Sequence, residues 1–243
     1  MTPLCFHSEF IVRLDKFICG STELTRSLAK KALHRSDVTC NGEIVKSSDF
    51  KVKDEHVICL NGEQLHLLGT RFIMLNKPVD TLCSTINEEY PSVLKLVDVV
   101  KVDNLHIAGR LDADTTGLVL LTSDGQWSHN ITSPKKLCIK RYLLEVADPL
   151  DDQLIDTFKQ GIALNNEDGL TQPARLEILG SHQARLTITE GKYHQVKRML
   201  AAVGNKVVKL HREAIGDIEL DTTLALGEWR YLTANEISSV NSH

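Results

Sequence analysis

Apolar residues along the chain follow two different rhythms. Across residues 24–35 they recur at Leu24, Leu28, Ala32 and Leu33, a spacing that gathers them on one side of a helix. Residues 13–19 (RLDKFIC) predict a shorter helix before it. The rhythm then shortens. Val38-Thr39-Cys40 and Glu43-Ile44-Val45 are extended runs on either side of Asn41-Gly42, a dipeptide that favours the tight turn of a hairpin. A further strand is predicted over 57–60, and residues 61–70, with Gly62 and Gly69, are the expected linker. Beyond it, strands are predicted at 71–75, 118–122, 139–147, 174–178, 184–189, 206–210 and 229–232. Helices are predicted from 92–95 onward, at 151–160 and at 194–203. Gly161 and Gly204 stand just past the last two, where helices commonly stop. Strands outnumber helices, and several follow one another through tight turns. The expected fold is therefore α+β, with a small module over 9–68 and a second domain over 71–238. That second domain is expected to be a largely antiparallel mixed sheet flanked by helices.

Composition excludes several classes. The 243 residues are 42% hydrophobic and 25% charged, ordinary proportions for a folded chain. No stretch approaches the run of about 18 apolar residues that spans a bilayer, so no membrane partner is expected. Residues 1–10 lack the basic-then-apolar pattern of an export leader. The six cysteines are nowhere closer than 14 residues, which excludes a C-x-x-C clamp. They are expected to be reduced structural thiols in a cytoplasmic protein.

Charge changes the picture once it is divided by region. The total is −4, from 28 Lys and Arg against 32 Asp and Glu, which argues against a nucleic-acid partner. Yet residues 133–142 hold Lys135, Lys136, Lys140 and Arg141 with no acid. Residues 190–213 hold six Lys and Arg against two acids, and 215–243 hold five acids against one arginine. A basic cleft on an acidic surface is expected, with RNA affinity that falls as salt rises. Arg26, Lys30, Lys31 and Arg35 lie largely outside the apolar stripe of the second helix. A phosphate grip and a plain solvated face are both open there.

The candidate chemistry lies in residues 108–125, AGRLDADTTGLVLLTSDG. Gly109 and Gly117 permit unusual backbone, and Asp112 and Asp114 set two carboxylates near a turn. Such carboxylates serve as metal ligands, acid–base groups, nucleophiles or simple turn formers. The chain has neither a G-x-G-x-x-G nor a P-loop, and no cofactor or metal is expected.

GRLD followed by TTGLVLLTSDG resembles the active-site segment of the pseudouridine synthases, in the branch that joins an S4 domain to the catalytic domain. RLDKFI, the basic helix and VTCNGEIVKSSDFKV resemble the S4 RNA-binding domain, which the resemblance places over 9–68. It implies that Asp112, not Asp114, is the catalytic residue and that Arg110 handles the flipped nucleotide. FIMLNKPVDTLCS (72–84) resembles the opening motif around Lys77-Pro78, with Asp80 where the family usually has Gly. CIKRYLLEV (138–146) puts Tyr142 in the place of the aromatic that contacts the target base. RLTITEGKYHQVKRML (185–200) makes Lys197 the partner of the catalytic carboxylate and Arg198 the second choice. His194 is then structural or RNA-facing.

The segments 131–146, 194–205 and 210–216 are most similar to the branch acting on small-subunit (16S) ribosomal RNA, at the uridine numbered 516. The implied partner is that RNA within a partly assembled subunit, met by a monomer. RNA contacts are expected from Arg26, Lys30, Lys31, Arg35, Lys77, Lys135, Lys136, Lys140, Arg141, Lys192, His194 and Arg198. Three alternatives stand beside this reading: a large-subunit RNA synthase, a non-catalytic S4-type assembly factor, and a metal-dependent phosphotransferase using Asp112 and Asp114. The implied reaction breaks the N1–C1′ bond of uridine and joins C5 to C1′, with no redox change. Asp112 must be ionised for it, and a cation such as Lys197 favours that form. Attack on the sugar, attack on the base and removal of a ribose proton are all open to it. Tyr142 or a water would take the C5 proton.

Overall fold

The structure, a computed structural model, describes residues 11–86 and 89–240. Cys5 and the first two residues of the expected 9–68 module lie outside the described residues. The chain divides into two compact units, one ending at residue 70 and including 99–101, the other holding the rest.

The N-terminal unit begins with β1 (Val12–Arg13) and α1 (Leu14–Ser21), followed by α2 (Arg26–His34). Thr25 caps α2 by accepting the Leu28 N–H, which satisfies one of the free donors of the first turn. The buried face of α2 is Ala29, Ala32 and Leu33, whereas Leu28 is 45% exposed. The apolar stripe is thus rotated from the expected one, because two alanines one turn apart allow close packing. Next come β2 (Val38–Cys40), β3 (Glu43–Ile44), β4 (Lys51–Val52), β5 (Ile58–Leu60) and β6 (Glu63–Gln64). They form a sheet in the order β3-β2-β5-β6, with β1 paired to β4. Asn41 and Gly42 both take positive φ, 50° and 87°, and close the first hairpin. Asn61 and Gly62 do the same at 51° and 85°, so residues 63–64 are a strand where a linker was expected. Leu14, Ile18, Leu33, Val38 and Ile58 centre the core of this unit.

The second unit is built on a nine-stranded sheet among the described residues. Its elements are β7 (Phe72–Lys77), β8 (His106–Ala108), β9 (Thr116–Thr122), α3 (Gly125–Thr132), β10 (Lys140–Val146) and α4 (Gln153–Gln160). Then follow β11 (Arg175–Gly180), β12 (Gln183–Ile188), α5 (Gln195–Ala202), β13 (Val207–Ile215), β14 (Ile218–Glu219), β15 (Trp229–Tyr231) and α6 (Ala234–Ser239). The main order is β11-β12-β10-β13-β9-β7-β15, with β14 on β13 and β8 on β9. Only β9 and β13 pair in parallel among these strands. β7 and β9 are buried on both faces, which explains their unbroken apolar runs.

Several elements differ from expectation. The helix foreseen from 92 is a single 3₁₀ turn, Val93–Leu96. β13 runs to Ile215 rather than ending near 210. No helix is predicted over 125–132, yet α3 starts there: the Asp124 carboxylate accepts the N–H groups of Gln126 and Trp127. Trp127 and Ile131, one turn apart, then bury the inner face of that helix. Cys19, Cys40, Cys59, Cys83 and Cys138 are free thiols. Among the described residues no helix is long and apolar enough to cross a membrane.

One row across the sheet positions the site. Lys77 in β7 faces Gly117 in β9, Gly117 faces Arg212 in β13, and Arg212 faces Tyr142 in β10. Residues in register across neighbouring strands project to a common face, so four distant segments meet there.

Candidate active site

The segment between β8 and β9 carries Asp112 into a cleft of about 1000 Å³. Its carboxylate is 29% exposed and meets two groups from the start of α5. Lys197 Nζ donates to Asp112 Oδ2 at 2.8 Å and to Asp114 Oδ1 at 2.6 Å. His194 Nε2 lies 3.3 Å from Asp112 Oδ1. Burial opposes the charge on Lys197, but the two carboxylates outweigh it and its pKa lies above the ordinary lysine value. Burial likewise pushes the Asp114 carboxyl up, and the Lys197 hydrogen bond and charge bring it below the usual range. The two aspartates therefore converge on a cation supplied by the chain itself.

The loop under Asp112 is clamped by two buried cations. Lys77 is fully buried, and its ammonium donates to the carbonyls of Pro78 (2.8 Å), Ala113 (3.2 Å) and Thr115 (2.9 Å). Burial draws its pKa below the ordinary lysine value. Arg212, 2% exposed, donates from Nε to Leu118 O at 2.8 Å, from Nη1 to Arg110 O at 3.4 Å, and from Nη2 to Gly109 O. Its Nη1 also reaches the Tyr142 hydroxyl at 3.4 Å. Two backbone groups complete the clamp. The Asp80 N–H donates to Ala113 O at 2.9 Å, and the Leu111 N–H points at Cys83 Sγ at 3.3 Å. Asp80 does this with φ 57°, the left-handed turn that a glycine would fill without strain. The Asp112 carboxylate thus sits on a segment whose carbonyls are pinned from both sides, a preorganised arrangement.

A family model described as RNA pseudouridylate synthase matches residues 71–202, the stretch that holds Lys77, Asp112, Asp114, Tyr142, His194 and Lys197, with Arg212 beyond its end. The chain belongs to that family. Among its relatives, the ribosomal small subunit pseudouridine synthase A of Vibrio parahaemolyticus is 51% identical over 231 residues, covering 94% of this chain and 99% of the relative. The protein of the same name from Escherichia coli is 51% identical over 230 residues, 94% of this chain and all of the relative. A crystal structure described as a pseudouridylate synthase superposes with a TM-score of 0.69 at 50% identity, covering 94% of this chain and 99% of that one.

The synthase fold sorts the expected site residues by what surrounds them. Arg110 is exposed at the cleft, and its side chain makes no hydrogen bond or ion pair among the described residues. Tyr142 is 8% exposed and lines the cleft from β10. Arg198 does not reach Asp112. One residue along a helix is a turn of 100°, and Arg198 points instead to Glu167 at 3.0 Å and to the carbonyls of Asn165 and Tyr193. Lys77 and Lys140 were expected on an RNA-contacting surface and are buried, Lys140 with its ammonium 3.3 Å from Ile131 O. Their ammonium groups are spent on carbonyls of the fold, which removes them from direct phosphate contact.

Other cations of the synthase are paired. Arg141 projects away from Tyr142, outside this cleft, and pairs with Glu213 at 3.2 Å and Glu219 at 2.9 Å. Lys192 pairs with Glu167 at 3.1 Å. Arg26 pairs with the buried Asp15 at 3.1 Å, and Arg35 with Asp37 at 2.8 Å. Lys30, Lys31, Lys135 and Lys136 are exposed and form no ion pair among the described residues. The sequence gives Arg212 no role beyond the basic stretch 190–213, because it lies past the predicted strand over 206–210. The longer β13 sets it at an inward position, where a charge persists only if the fold hydrogen-bonds it.

Proposed function

We propose that this synthase isomerises a uridine of small-subunit ribosomal RNA, the one numbered 516, with Asp112 as its catalytic carboxylate. The observation that carries the reading is the Asp112–Lys197 contact at 2.8 Å, inside a cleft large enough for a flipped nucleotide. The choice of RNA is supported by relatives about half identical along nearly their whole length and named for the small subunit.

The uridine must leave its stack before any side chain reaches it, at a cost of a few kcal/mol. Arg110, unpaired at the cleft, holds the displaced position or its phosphate. Tyr142 offers the uracil a ring whose hydroxyl is fixed by Arg212. Asp112, hydrogen-bonded by Lys197, reacts as the N1–C1′ bond breaks. The uracil turns, C5 bonds to C1′, and the proton lost from C5 is balanced by the one gained at N1. Tyr142 Oη, or a water beside it, accepts the C5 proton. The N-terminal unit acts as an S4-like RNA-binding domain, with Lys30 and Lys31 exposed on α2 for phosphates. The substrate is the RNA in a partly assembled small subunit, met in the cytoplasm by a monomer.

Asp112→Asn keeps the shape and removes the charge. It is expected to bind small-subunit particles as wild type does and to form no pseudouridine, measured by mapping the modification in the RNA. Normal product from that variant would overturn the assignment. Mapping the RNA of cells that lack the protein tests the target: loss of one small-subunit site is expected, and loss of a large-subunit site instead would redirect it.

A further inference from the structure

Tyr193 has an unusual setting. Its ring is 75% exposed, the highest exposure of any large apolar or aromatic side chain among the described residues, yet it lines the cleft that holds Asp112. A lone exposed aromatic is ordinary on a protein surface. This one is held in place. Its ring stacks on His194 with centroids 3.8 Å apart and planes 22° from parallel. Its carbonyl accepts from Arg198 Nη1 at 3.2 Å. The preceding Lys192 N–H donates to Gln195 Oε1 at 2.8 Å, and the buried Gln195 donates to Glu190 at 2.7 Å.

His194 is part of the same device. It precedes α5 in the left-handed region, φ 48°, and its side chain makes no capping bond to the helix. The ring faces Asp112 instead, at 3.3 Å. One face of Tyr193 is thereby closed by a ring tied to the reactive carboxylate, and the exposed area lies on its other side. Lys192 and Arg198, the cations beside it, are both engaged by Glu167. The place offers a π face beside cations that already have a partner.

We propose that Tyr193 is a base-stacking platform for a nucleobase flanking the target uridine. The inference rests on the RNA substrate proposed above. Flipping a uridine out of its strand leaves its neighbours without a stacking partner, and a rigid open aromatic at the cleft supplies one. Stacking accepts any base, so the platform secures the strand without reading its sequence.

The test uses the full chain and a small-subunit ribosomal RNA transcript carrying 2-aminopurine next to the target uridine. Tyr193→Leu keeps bulk and loses the ring. It is expected to weaken RNA binding by about 5- to 150-fold, the range for losing one base–aromatic stack. The factor should be the same at low and high salt, because no ion is displaced. Tyr193→Phe should recover the affinity. In turnover the loss should fall on KM rather than on the rate at saturating RNA. Wild type should quench the 2-aminopurine, and the leucine variant should not. Undiminished binding by Tyr193→Leu would overturn the proposal. So would a slower rate at saturation with unchanged affinity, which would mean that Tyr193 acts on Asp112 through His194. A wild-type protein that quenches the probe but forms no pseudouridine would defeat the proposed function and leave the platform standing.

Discussion

Lys197 and Arg198 are adjacent in the chain and opposite in fate. Lys197 is shared between Asp112 and Asp114, while Arg198 secures the loop that bears Tyr193. Charge type alone does not separate them; the direction in which each leaves α5 does. Asp15 in the N-terminal unit makes a similar point for a carboxylate. It is fully buried, and hydrogen bonds from Arg13, then Arg26, outweigh burial and hold its pKa near 2. Its ordinary value is 3.8, so the folded form binds the proton less readily than the unfolded chain does. The sign follows from linkage: its contribution to stability is complete above about pH 4 and is lost as pH falls through about 2. Carboxyl NMR should find Asp15 titrating near 2, and Asp15→Asn should flatten the acid limb of the unfolding midpoint against pH.

At the level of elements, the parallel contact of β9 with β13 determines where the segment that bears Asp112 ends. Gly117 takes φ 103° there, and a Cβ at that position would lie 2.4 Å from Arg212 O and 2.6 Å from Arg212 N. A side chain would force the strands apart where Arg212 departs to hold Gly109, Arg110 and Tyr142. Gly117→Ala is therefore expected to cost about 3 kcal/mol or more, from overpacking together with an unfavourable φ. Thermal unfolding measures the cost, and the surviving folded fraction should form pseudouridine slowly. α3 shows how a short element escapes sequence reading. Its first residue is Gly125, and its helical pattern is only Trp127 and Ile131. An aspartate such as Asp124 suits a turn or a helix cap equally well by its chemistry.

Over the whole molecule, the acidic total conceals a cationic cleft. Arg110, Lys140, Lys192, Lys197 and Arg212 line it against Asp112 and Glu190. Most of these cations are engaged by carbonyls or carboxylates, so they set the field around Asp112 more than they grip phosphates. Lys135 and Lys136, just past α3, are exposed and form no ion pair among the described residues. Changing both to Ala should lower the slope of log affinity against log salt by about 1.4, at roughly 0.7 per single-strand phosphate contact. Binding measured between low and moderate salt checks it. The same double change should leave pseudouridine formation at saturating RNA nearly intact, since neither lysine lines the cleft that holds Asp112.

Local rules are legible along one chain, and they located most of the architecture. Asn41-Gly42 closes its hairpin, Gly161 and Gly204 follow α4 and α5, and the apolar runs became the buried strands β7 and β9. Asn61-Gly62 obeys the same rule, within a stretch whose glycines also suit a linker. The family motifs likewise named Asp112, Tyr142 and Lys197 as the groups that now line one cleft. Burial and partnership are properties of assembled surfaces, and they had no local signature. Lys77 and Lys140 read as surface cations until the sheet closed over them. Arg212 gained its role only when β13 lay between β9 and β10, bringing it to carbonyls about a hundred residues earlier in the chain. His194 came to Asp112 because the turn into α5 is left-handed. Propensity acts over a few residues and is written in order along the chain, whereas the electrostatics of this site join segments that only the folded sheet makes neighbours.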